Sequence, residues 1–65
     1  MTVREIEKLM REAGWYPVAQ RGSHKFFKHG IYPNKVTVPQ HKGDLHIDTV
    51  KAIFKQARLG RGGTP

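Results

Sequence analysis

Apolar residues return every three or four positions near the start of the chain, at Val3, Ile6, Leu9, Met10 and Ala13. That period draws one buried stripe along a helix, and it gives Met10 a core role. Thr2 with Glu5 three residues later has capping-box spacing, and Gly14 stands where a helix stops. From Trp15 the period shortens. "WYPVAQR" and "HKFFKH" read as strands joined by a Gly22-Ser23 turn, with Pro17 at an edge or at a strand's first residue. "GIYPNK" is a turn. "KVTVP" then alternates, with Val36 and Val38 on one face, Lys35 and Thr37 on the other, and Pro39 as its end. "QHKGDLHI" is a loop, after which Val50, Ile53, Phe54 and Ala57 restore the helical period until Gly60. Asp48 serves either as the N-cap of this helix or in its first turn, and Arg58 suits the far end of the helix dipole.

Helix, three strands, helix can bury both helices against the apolar face of an antiparallel sheet and leave the other face wet. This is the α+β, α-β-β-β-α arrangement of a double-stranded-RNA-binding-like domain. Arrangement alone is weak evidence for RNA. The expected organisation is one domain over residues 1–60, followed by a flexible tail, 61–65, that has no apolar residue to anchor it. A chain of 65 residues has room for one modest core.

The absence of cysteine excludes a disulfide scaffold, a thiolate zinc site and a cysteine nucleophile. Charges run throughout "MTVREIEKLM", where a signal peptide needs an apolar core, and no stretch approaches the roughly 18 apolar residues of a membrane span. A soluble cytoplasmic protein is expected. Twelve Lys and Arg against five Asp and Glu leave a formal charge of +7, an excess that favours polyanions. The distribution sharpens this. Residues 21–42 hold Arg21, Lys25, Lys28, Lys35 and Lys42 and no acid, so nucleic acid is preferred over a merely solubilising basic surface.

Four histidines, His24, His29, His41 and His46, are many for so short a chain. A metal is disfavoured, because His24 and His29, five apart in a strand, point to opposite faces. No acid lies between Glu12 and Asp44 to join them as a ligand, although His41, Asp44 and His46 share one loop. Acid–base chemistry suits the pattern better. An imidazole can take or give a proton near neutrality, and RNA cleavage needs a proton moved from a 2′-hydroxyl or onto a leaving 5′-oxygen. It also needs positive charge beside the transition state. His24 follows the turn and is flanked by Arg21 and Lys25, with Lys28 and His29 beyond. Without further information, a strand that only contacts phosphate stays slightly ahead of a catalytic one.

Strict alternation groups His24, Phe26 and Lys28 on one face and Lys25, Phe27 and His29 on the other. One phenylalanine is then core, and the other is placed to stack on a base. The residues alone do not say which is which. Trp15, just past the first helix, is read as packed.

"GSHKFFKH" followed by "VTVPQHKGDLHIDTVKAIFKQARL" resembles the HicA toxin family of small mRNA interferases. The likeness covers nearly the whole chain, from "AGW" at residues 13–15 to "KQARLG" at the end of the last helix. The resemblance implies a double-stranded-RNA-binding-like fold and cleavage of mRNA with His24 as the essential histidine. No cofactor and no metal are expected, because His24 and the basic residues beside it supply both proton transfer and positive charge. A HicB-family antitoxin would cover the active site, and operator DNA would be reached only through that complex. It also implies that Phe27 is packed and Phe26 is left for RNA. His29 and His41 remain candidates for a second acid or base, and Arg21, Ser23, Lys25, Lys28 and Lys42 for phosphate. Arg58 stands where the family commonly has glycine, and His46 matches nothing functional. The alternative from another class is a non-catalytic RNA-binding module.

Overall fold

The structure, a computed structural model, describes residues 1–59. Helix α1 spans Val3–Glu12, strands β1, β2 and β3 span Trp15–Arg21, His24–His29 and Val36–Pro39, and helix α2 spans Ile47–Gln56. The sheet order is β1-β2-β3 and both pairings are antiparallel. Helix α1 begins as its sequence predicts. The Thr2 hydroxyl accepts from the Glu5 backbone N–H at 3.2 Å, and the Glu5 carboxylate accepts from the Thr2 N–H at 2.8 Å. That backbone bond, with help from the Thr2 side chain, holds the Glu5 carboxyl below its ordinary range. The ionised form is the acceptor, so the carboxylate half of the box is present at neutral pH and is lost as acid protonates Glu5.

Phe27, Val36 and Val38 form the sheet's share of the core, and cross-strand pairing puts them on one face. Ile6 and Met10 from α1 and Val50, Ile53 and Ala57 from α2 complete that core with Trp15 and Leu45. Both helices therefore cover the same face, which is the α+β double-stranded-RNA-binding-like arrangement. Phe27 is 0% exposed, which settles the register that alternation left open.

Three details depart from the expected pattern. Ala13, assigned to the buried stripe, is exposed, while Glu7 on the same helix is only 9% exposed. Glu7 tolerates burial because Gln40 donates to its carboxylate at 3.0 Å, and Lys25 and Arg11 lie 3.5 and 3.9 Å away. At the other end of the chain, α2 starts with His46 as N-cap, its Nδ1 accepting from the Asp48 N–H at 3.1 Å. Asp48 thus takes the first-turn alternative.

Helix α2 also ends earlier than Gly60, at Ala57. The Leu59 N–H reaches the Phe54 carbonyl at 2.8 Å and the Arg58 N–H the Lys55 carbonyl at 3.3 Å, a Schellman closure. Its left-handed position, usually glycine, is Arg58 at φ 55°. The chain thus keeps the conformation without the residue that adopts it most readily. The guanidinium rests 4.3 Å from the centre of the Tyr32 ring. Gly60 and the tail 61–65 lie outside the described residues. Among the described residues no helix is long and apolar enough to cross a membrane.

Candidate functional site

Gly22, at φ 54°, and Ser23 form the two-residue turn that pairs Arg21 directly with His24. On its other side His24 pairs with Pro39 of β3, and the Gln40 N–H extends that ladder to the Ser23 carbonyl at 2.6 Å. The first residue of β2 is thus fixed on both flanks. Its imidazole is exposed on the face that no helix covers.

Cross-strand partners share a face, so the register assigns the neighbours of His24. Arg21 lies beside it, Phe26 sits between Ala19 and Thr37, and Lys28 pairs with Tyr16. A bulge between Pro17 and Ala19 leaves Val18 unpaired and 45% exposed. Val18, Ala19, Arg21, Phe26, Lys28 and Lys35 line an open basin of about 490 Å³. Its three charged residues are all basic. Lys35 belongs to this group, its ammonium 5.6 Å from the centre of the Phe26 ring. The sequence places Lys35 in the basic centre without marking it as a phosphate contact. The signal was there: in "KVTVP" it alternates with Val36, so a buried Val36 sends it to the open face.

Lys25 and His29 are on the other face, with Phe27. The Lys25 ammonium is 3.5 Å from the buried Glu7 carboxylate. The Ile31 N–H donates to His29 Nδ1 at 3.0 Å, so the ring's hydrogen is on Nε2, which donates to the Ala13 carbonyl at 2.9 Å. Both nitrogens are occupied, and the ring closes the end of α1. Gly14, at φ 98°, follows directly, and a Cβ there would lie 2.6 Å from His29 Nε2. His29 also meets Trp15 edge-on at 5.1 Å and Tyr32 at 4.7 Å between ring centres. Trp15, packed as expected, donates from its indole nitrogen to the Ala57 carbonyl at 2.9 Å, closing the end of α2. The structure therefore brings Arg21, His24, Phe26 and Lys28 together on one face and sets Lys25 and His29 on the other.

Ser23, His41 and Lys42 are exposed near the His24 end, Ser23 in the turn and the other two in the segment that leaves β3. Among the described residues no three His, Asp or Glu side chains gather as a metal site would need. Helix α1 carries Arg4, Lys8 and Arg11 against Glu5, Glu7 and Glu12, so its charges balance, whereas the basin has cations alone. The surface that suits a polyanion is the open sheet face, not α1.

A family model described as "HicA toxin of bacterial toxin-antitoxin" matches residues 3–59. No curated protein matches the chain.

Proposed function

The chain belongs to the HicA toxin family, the toxin half of a bacterial toxin–antitoxin pair, and on that premise we propose that it is an mRNA endoribonuclease working on the open face of its sheet. The observation that carries this reading is His24, exposed on the uncovered face with Arg21 directly across the strand pair and Lys28 on the same side. His24 acts as general base on an RNA 2′-hydroxyl, or as general acid on the departing 5′-oxygen. In the first role it accepts the hydroxyl proton while that oxygen attacks the adjacent phosphorus and the bond to the 5′-oxygen breaks. Arg21 and Lys28 offset the charge that builds on the phosphoryl oxygens. The products are a 2′,3′-cyclic phosphate and a 5′-hydroxyl.

His41 is the better-supported second proton-transfer group, because both His29 nitrogens are engaged elsewhere. Ser23 and Lys42 bind the RNA backbone at the same end. No step draws on a metal, and chelation by EDTA leaves cleavage intact. The antitoxin, of the HicB family, inhibits by covering His24, and operator DNA is reached through that complex.

The test is His24→Ala. Cleavage should fall at least about 100-fold while RNA affinity stays within about twofold. Products ending in 5′-phosphate, or complete loss of activity with EDTA, would overturn the mechanism. If the parent protein binds RNA and never cuts it, the chain is the non-catalytic binding module instead.

A further inference from the structure

Phe26 differs from every other large aromatic on the sheet in what flanks it. Its cross-strand partners on the open face are small, Ala19 on β1 and Thr37 on β3, so neither covers the ring. The ring is half-buried, which fixes its position, and it lines the 490 Å³ basin with Val18, Arg21, Lys28 and Lys35. The side chain that meets its ring is a cation, the Lys35 ammonium at 5.6 Å. Phe26 lies two residues from His24 on the same face, a step of about 7 Å along a strand. An apolar platform with cations around it, one strand step from the proposed reacting group, matches a nucleotide adjoining the scissile phosphate.

We propose that this basin is a nucleotide subsite in which one unpaired base stacks on Phe26 while Lys28 and Lys35 hold the phosphates beside it. The proposal rests on the nuclease reading for the nature of its ligand. The Lys35 ammonium that rests over the ring moves to phosphate when a base arrives. An ammonium on an exposed ring is held more weakly than a stacked base, so the exchange is favourable. The subsite demands single-stranded RNA, because in a duplex both faces of each base are already covered by its neighbours. The fold's likeness to double-stranded-RNA-binding domains therefore does not extend to its ligand. Stacking is tolerant of base identity, so the subsite confers preference for unpaired RNA rather than for a sequence.

The test measures binding without cleavage. A short 2′-O-methyl RNA, which lacks the attacking hydroxyl, is titrated as a single strand and as a duplex by fluorescence anisotropy. The single strand should bind about tenfold more tightly than the duplex. Phe26→Leu, which keeps an apolar side chain under the basin, should weaken single-strand binding about tenfold, and Phe26→Tyr should restore it. Lys35→Gln, at an exposed position, should weaken it about threefold and lower the salt slope by about one. Equal affinity for duplex and single strand, or unchanged binding by Phe26→Leu and Lys35→Gln, overturns the subsite. If that happens in a protein that still cleaves natural RNA, the subsite falls and the nuclease reading stands. If binding depends on Phe26 but natural RNA is never cut, the nuclease reading falls and the subsite stands. A parent protein with no affinity for RNA overturns both.

Discussion

On the inner face of β2, Lys25 meets Glu7, Phe27 is enclosed by both helices, and His29 closes the end of α1 with one nitrogen and holds Ile31 with the other. On the outer face, one residue out of step, His24, Phe26 and Lys28 repeat the same three side-chain types. Among the described residues neither His24 nor Lys28 makes a side-chain hydrogen bond or ion pair, and Phe26 lies under a lysine. A single six-residue strand thus holds one set engaged by the helices and one left uncovered, of the same composition. Residue type did not separate them. What did was whether a helix stands opposite to satisfy the polar atoms and enclose the ring.

Paired substitutions can break this contrast. The largest effect belongs to the phenylalanines: Phe27→Ala should cost about 3–5 kcal/mol, enough to unfold much of so small a domain, and Phe26→Ala about 1 kcal/mol or less. Urea denaturation of the two variants checks it, and equal losses would erase the distinction between the faces. The histidines come next. His29→Ala removes two hydrogen bonds and should cost about 1–3 kcal/mol, with cleavage per folded molecule within about threefold of the parent. A stable His29→Ala protein without activity would move the chemistry to the inner face. The lysines give the smallest signal. Lys25→Ala should lower stability by about 1–2 kcal/mol, by leaving Glu7 short of a partner, and keep the salt dependence of RNA binding. Lys28→Ala should do the reverse, with stability within about 0.5 kcal/mol and a salt slope lower by about one.

Much of this molecule was legible in local patterning. The strands "WYPVAQR" and "HKFFKH" have the bounds their alternation and turn residues predict, and the Thr2–Glu5 box forms. The two side-chain sets on β2 follow from alternation as well. What local pattern could not supply is which set faces a helix, because that depends on β3 pairing with β2 through Phe27 and Val36. The same limit hid Glu7, whose burial relies on Gln40, 33 residues later, and on Lys25. It hid the bond from His29 to the Ala13 carbonyl, 16 residues earlier. The capping role of His46 leaves no local sign for another reason: an imidazole nitrogen can accept at a helix start, yet Ser, Thr, Asp and Asn dominate that position. The early end of α2 was masked similarly, since Arg58 occupies a backbone state in which glycine is expected.

The close approach of His29 to Gly14 makes what position 14 can hold depend on a residue 15 positions later. A methyl group at 14 would need the space that the imidazole fills, and the ring cannot withdraw without uncapping Ala13. Substitution at 14 is therefore penalised twice, by the ring it would strike and by a backbone at φ 98° that strains any side chain, so a smaller residue at 29 removes only the first cost.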